Sequence, residues 1–592
     1  MGELDDHHLE LLRAYEPIIR FTEGEYFLPA PVDAFVASCR LVKRDAQGRA
    51  GVVADQGAVT LDDLPDLESD RTARYSLALA QRPLRRRELV AWRLRRDRPR
   101  FLGGGTRLAH VGVLSRLLDA FNRASLVIRG SVAAGSEAAA ETAYRPELAR
   151  TTHPYFGRVV RQAGYVVLQY WFFYYFNDWR SRAHGVNDHE GDWEQVTIYL
   201  AEQEHGEPVP AWIAFSAHDE VGDDLRRRWD DPDLTLEGTH PVVHAGLGSH
   251  SGSYLAGDHL ISVEWSAVGS ALRWGRRPAR LGLRLSRALL PWTRGAETER
   301  FGMPYVDYAR GDGLAVGPGC ERTWSPVLID DDTPWVRDYV GLWGADTEDP
   351  FGGERAPAGP RYERNGRVRD SWGDPVGWAG LEKVPPNEGA RRRVVEERIA
   401  ELDEELRDLD ARQVQVRRAL RAEVAAGRSA VGDDESTVRL LTATRIKLDD
   451  DRRRLQRSLA RRSDVGDPHA HLHHRRLPLP GTLDGRERAL RLFSVISTPL
   501  VIVAIAMMFL PLGPSVIAVG GIGLFVILLM EAIARRRLFA FVVTVVIVTV
   551  AAIVVTAIVA GLIAEWRTTV VVVLATAAAT VFLLNVAELR RT

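Results

Sequence analysis

The sequence predicts a chain in three parts: a mainly β soluble head of the sandwich, jelly-roll-like type, an α-helical coiled-coil hairpin, and a four-helix transmembrane domain. Three observations carry this. Four apolar runs, each close to the roughly 20 residues that cross a bilayer, follow one another after residue 492. A heptad seam precedes them. Most of the Trp, Pro and Gly, together with aromatic and β-branched runs, fall earlier. The expected boundaries are 1–385 for the head, 386–465 for the stalk, 466–491 for a basic, His-rich juxtamembrane linker and 492–592 for the spans.

Composition narrows the function classes. The 592 residues carry 77 Lys+Arg against 79 Asp+Glu, a formal charge of −2. A dedicated nucleic-acid binder carries a strongly basic domain, so no nucleic-acid partner is expected. Two cysteines, Cys39 and Cys320, are too few for a disulfide scaffold. The Met1–His8 segment has no basic start and no apolar stretch, so it does not read as a signal peptide.

In the head, Leu9–Phe35 reads as a short helix followed by turns at Pro17, Pro29 and Pro31. Arg82–Arg100 carries nine arginines interleaved with apolar residues. They suit anionic lipid, or a solvated element paired to the acidic Asp62–Asp70 stretch. Ala163–Phe176 is too short and too aromatic for a span and reads as a strand apolar on both faces, hence central in its sheet.

The segment His189–Leu200 carries a deduction from alternation. Asp192 and Glu194 share parity with Val196, Ile198 and Leu200, whereas Trp193 goes with Gln195, Thr197 and Tyr199. With the aliphatic residues facing the core, both carboxylates face it too, at a cost of several kcal/mol unless something positive offsets them. A divalent cation or an arginine cluster would do so. His189, three residues before Asp192, adds a nitrogen donor to two oxygen donors. That set suits Mg, Ca or Mn ahead of Zn. The competing reading is a structural network, with Arg180 or Arg182 on the acids and His189 closing the loop. A further strand, Val209–Ala217, ends at His218, and the small-residue stretch His240–Tyr254 presents His250 past a strand end. No serine there stands in a Gly-x-Ser-x-Gly elbow, which disfavours a serine hydrolase.

The blocks "LQYWFFYYFND", "HEGDWEQVTIYL", "SAHDE" and "HPVVHAGLGSHSGSY", with the opening "YEPIIRFTEGEYFLP" and the late "WVRDYVGLWG" and "DPVGW", resemble bacterial and fungal relatives of the vacuolar protein sorting sixty-two family. The resemblance covers about residues 10–380. More distantly, His189-x-x-Asp192-x-Glu194 after an aromatic strand is similar to the signature of necrosis- and ethylene-inducing-like proteins, β-sandwich toxins that bind a divalent metal and act on membrane lipids. That similarity implies Asp178, His189, Asp192 and Glu194 as metal ligands, with His250 and His218 nearby. The second histidine of the toxin wording is missing here, so lysis does not carry over.

The stalk shows Val395, Ile399, Leu402, Leu406, Leu409, Gln413, Val416 and Leu420 in alternating steps of four and three, then a polar break and Val438, Leu441, Leu448, Leu455 and Leu459. This predicts an antiparallel hairpin or one arm of an oligomeric coil. His469, His471, His473 and His474 read as a polar linker rather than a metal site. The spans are expected at Phe493–Leu510, Ser515–Ala534, Leu538–Ala564 and Thr568–Val586. Arginines before the first, between the second and third, and after the fourth put both termini in the cytoplasm. Apart from Glu531, near the end of the second, the spans lack the polar groups of a conduction path and read as an anchor. The expected function is a multi-pass protein of the cell membrane whose cytoplasmic head binds a divalent metal and recognises a lipid headgroup, glycan or protein, and whose stalk and spans self-associate. The alternatives are a metal-dependent hydrolase of a phosphoester or lipid, with His250 or His218 as base, and an oligomeric scaffold or pore.

Overall fold

The computed structural model describes residues 2–45, 49–67, 74–79, 86–95, 101, 107–120, 134–179, 188–203, 205–216, 225–263, 303–345, 356–425, 432–459, 477–509, 513–550, 552–557, 559–560 and 563–564. These divide into two compact units. The first is Met1–Gly104, Gly130–Leu260 and Tyr305–Gly481; the second is Gly105–Arg129, Ile261–Pro304 and Thr482–Thr592. Two stretches of the expected head therefore group with the spans. His218, Arg180, Arg182 and the four linker histidines lie outside the described residues, as does the fourth expected span.

The first unit is built on a six-stranded sheet in the order Thr323–Leu328, Thr152–Gln162, Tyr165–Asn177, His189–Ala201, Val209–Phe215, Arg227–Arg228. The first pair is parallel and the others antiparallel. From 152 to 228 each strand pairs with its chain neighbour. The short turn at Ala163–Gly164 returns the chain directly to the adjacent edge, while the parallel edge strand Thr323–Leu328 arrives by a crossover.

Tyr165–Asn177 and His189–Ala201 are buried along their whole length. One face packs Tyr170, Phe172, Tyr174, Val196, Ile198 and Leu200 against Ile19, Val243, Ala245 and Val316, which belong to a second sheet. The two sheets share this core. The opposite face packs Trp171, Phe173 and Trp193 against Phe35, Trp343 and Trp372, and farther along it Tyr199 meets Val376 and Leu381. The central strands are thus covered on both faces, which is why they lack polar alternation. The helix Gly2–Tyr15 stops before Pro17 and the helix Val32–Ser38 starts after Pro31, as the proline placement requires.

The stalk residues form two helices, Glu388–Ala425 and Gly432–Leu459. Asp403 pairs with Arg452, Asp410 with Arg445 and Gln413 with Thr442, so one number falls as the other rises in matched steps. The helices therefore run antiparallel. Arg445 and Arg452 take seam positions by reaching across to acids on the facing helix.

Among the described residues, three helices are long and apolar enough to cross a membrane: Gly485–Phe509, Pro514–Ala534 and Leu538–Ala557. The first two form a hairpin, with Arg486 donating to the Ala534 carbonyl at its open end. At Gly520 a side chain would lie 2.7 Å from the Ala504 carbonyl oxygen, so close helix contact requires the small residue.

Leu402 is 1% exposed in the helix pair, whereas Leu440 is 68% exposed. Leu402→Ala is expected to cost about 2–5 kcal/mol of local stability, and Leu440→Ala less than about 0.5 kcal/mol. Amide hydrogen exchange across 388–459 in the full chain measures both.

Candidate functional site

The candidate site forms where the two central strands end. As alternation requires, Asp192 pairs in register with Tyr174 and Glu194 with Phe172, on the face that carries Val196, Ile198 and Leu200. Trp193 packs on the other face. Both carboxylates are buried.

The positive group opposite Asp192 belongs to the chain itself. His250 places Nδ1 2.8 Å from Asp192 Oδ2 and Nε2 3.7 Å from Glu25 Oε1. The second distance is an ionic contact beyond hydrogen-bond reach. The imidazole lies flat on Tyr174, centroids 3.8 Å apart and planes 3° from parallel. Burial works against a charged ring here. The hydrogen bond that the ring donates to Asp192 and the charges of Glu25 and Asp192 outweigh it and push His250 up to about 10. An imidazolium therefore sits between two carboxylates and supplies compensation that the sequence reading assigned to a metal or an arginine.

The local backbone is shaped to deliver that ring. His250 is left-handed, with φ of 55°, a conformation that costs a non-glycine residue roughly 1–3 kcal/mol. The turn around it is pinned by Asp307, which accepts from Ser249 and Ser251 at 2.7 Å each, and by His250 N donating to the Gly246 carbonyl. Gly248, also left-handed, donates its N–H to Glu25 Oε2 at 2.8 Å and accepts from Asp178 N at 3.1 Å. A side chain there would lie 2.2 Å from Asp178 Oδ1, so only glycine lets the segments meet. Glu25 Oε1 also caps the N–H groups of Tyr26 and Phe27. His250 and Glu25 thus join the loops around residues 25 and 248 to the strand that carries Asp192, and a backbone hydrogen bond adds residue 178.

The structure brings Asp178, Asp192 and His250 to this point and turns the other expected residues away. Asn177 donates to Asp192 at 3.3 Å, but its register partner His189 directs Nδ1 to the Gly191 carbonyl at 2.8 Å. Gly191 is left-handed, and a side chain there would run into the Trp343 carbonyl oxygen at 1.9 Å. This break in the pleat sends Glu190 to the Trp343 side, where it accepts from Leu79 N and Ala345 N. Glu194 accepts from Ser216 Oγ. Among the described residues no group of three or more His, Cys, Asp or Glu side chains converges as a metal-holding set. Asp192 is engaged by His250 and Glu194 by Ser216, and no step is derived through a cation at Asp178, His189, Asp192 and Glu194.

Glu25 and Asp307 escaped the sequence reading. Glu25 stands in Thr-Glu-Gly-Glu directly before the apolar Tyr26-Phe27-Leu28, an acid beside a run that must be buried, and that was its available signal.

No family model matches the sequence, and no curated protein does. Solved structures similar to part of the chain include that of the non-toxic HaNLP3 protein, 15% identical with a TM-score of 0.13, over 16% of this chain and 39% of that one. Another is that of Necrosis and Ethylene inducing Protein 2 from the causal agent of cocoa's Witches Broom disease, 16% identical with a TM-score of 0.14, over 17% of this chain and 44% of that one. The chain thus matches less than half the length of either. The similarity is distant and local, and the vacuolar protein sorting resemblance gains no support from these comparisons.

His250 rises from an ordinary 6.5 to about 10 on folding. Its contribution to stability is complete below pH 6.5 and is lost as pH rises from there through about 10. The melting temperature of the full chain in detergent is expected to fall across that range, and His250→Gln to lack this part of the slope. Asp192→Asn removes the buried carboxylate hydrogen-bonded to the His250 ring and is expected to cost about 3–5 kcal/mol.

Proposed function

We propose that the chain is a multi-pass membrane protein whose β head offers the loop cluster around His250 as a recognition surface for the polar headgroup of a membrane lipid. The single observation behind this reading is the buried His250 ring held between Glu25 and Asp192, which fixes the loops around residues 25 and 248 to the end of the central sheet. Preorganised loops on a rigid sheet bind without paying an ordering cost. Lipid is favoured over glycan or protein because the apolar helices keep headgroups at high effective concentration. In this reading both termini are cytoplasmic, the stalk sets the distance from the membrane, and stalk and spans self-associate. The block resemblance to vacuolar protein sorting sixty-two relatives belongs to the same reading.

A divalent cation is left out of it, because Asp192 is engaged by a charged His250 and Glu194 by Ser216. The hydrolase alternative is weaker for a related reason. A ring held protonated to about pH 10 is no general base at neutral pH.

The test is thermal melting of the full chain in detergent with added phosphatidylcholine, phosphatidylserine, phosphatidylglycerol or soluble glycerol 3-phosphate. A saturable rise with at least one headgroup is expected, with the soluble compound separating headgroup binding from bulk lipid effects. Identical melts throughout would overturn the reading. Ester or phosphoester turnover abolished by Asp192→Asn would replace it with the hydrolase.

A further inference from the structure

The second unit holds a charged cluster that the headgroup reading does not use. Residues 113–120 are helical and the short helix Arg107–His110 precedes them. Arg116, only 2% exposed, has all five of its N–H groups engaged. It binds Glu531 through both terminal nitrogens, at 2.8 and 2.6 Å. It also donates to Ser497 Oγ at 3.1 Å, Thr498 Oγ1 at 2.9 Å and its own Val111 carbonyl at 2.6 Å. Arg535 completes the set by donating to Glu531 Oε1 at 2.8 Å and to the Ala109 and Val111 carbonyls at 2.9 and 2.7 Å. One carboxylate is held between two guanidinium groups, and the backbone of 109–111 is bonded to the same cluster.

Depth gives this cluster its meaning. Ser497 and Thr498 lie about one turn inside the apolar run that starts at Phe493, some 6–8 Å in at about 1.5 Å per residue. Glu531 lies one turn inside the end of its helix Pro514–Ala534. Arg116 must reach that level, and it carries its segment with it. Residues 107–120 number 14 and include Arg107, His110, Arg116 and Asp119, too short and too charged to span a membrane. At bilayer depth such groups persist only when paired. Arg107 with Asp119 at 2.7 Å and Arg116 with Glu531 meet that condition. Leu114, 39% exposed, is the apolar residue left facing outward.

We propose that residues 107–120 are a further membrane-attachment site, an interfacial element seated at bilayer depth and clamped to the helical hairpin by Arg116, Glu531 and Arg535. The chain would then meet the membrane twice, once through the terminal helices and once through a segment lying between two stretches of the head.

The experiment uses the full chain in lipid nanodiscs, with Cys320→Ser and the buried Cys39 retained. A spin label is placed at Leu114→Cys, and its relative accessibility to oxygen and to a water-soluble nickel complex is measured. Val526→Cys serves as the lipid reference and Val52→Cys as the water reference. The Leu114 label is expected to show the oxygen-favouring ratio of the lipid reference, and Arg116→Gln or Glu531→Gln to move it toward the water reference. The charge-exchanged pair Arg116→Glu with Glu531→Arg is expected to recover part of that shift. A Leu114 label matching Val52 in the otherwise unaltered chain overturns the membrane placement even if the variants fail to fold. A Leu114 label unmoved in folded variants overturns the clamp.

Discussion

Two carboxylates and an imidazole packed into one buried space constrain the rest of the head. Asp192 points inward because the strand's aliphatic residues do, and Glu25 points inward because it caps three backbone N–H groups. Neither can be neutralised by solvent. His250 must therefore be brought between them, and it arrives on a left-handed residue that the backbone would otherwise avoid. The strain in that turn is held by Asp307 from the side and by the Tyr174 ring beneath. Loops far apart in sequence are fixed by electrostatics rather than by a hydrophobic contact between them.

The parts of this that the sequence disclosed are those with a period. Alternation of two placed Asp192 and Glu194 on the core face, and the doubly apolar Tyr165–Asn177 strand announced its central position. Heptad steps announced the helix pair. The partner of Asp192 could not be read this way. His250 is 58 positions away in the chain and lies on an aperiodic turn, so nothing local links the two. His189 turns its ring to the Gly191 carbonyl where Gly191 breaks the pleat, a consequence of close approach to Trp343 that no spacing reveals. The charge that faces Asp192 is the His250 imidazolium, and Glu194 faces the Ser216 hydroxyl.

The membrane unit follows the same logic at lower dielectric. Hydropathy identified the long helices and overlooked residues 107–120, because a charge counts against a segment until its partner is known. Arg116 and Glu531 stand 415 positions apart and cancel only in three dimensions. In both units the charges that look most out of place are those that tie distant stretches of chain together. The apolar surroundings make each tie strong by making its loss costly.

The most direct measurement is the protonation state of His250. Nitrogen-15 NMR of histidine-labelled full chain in lipid, with His250→Gln providing the assignment, reads it at pH 8. Two protonated ring nitrogens, both with imidazolium shifts, are the predicted result. One protonated and one bare nitrogen would mean a neutral ring, leaving Asp192 and Glu25 without the cation on which this account of the head relies.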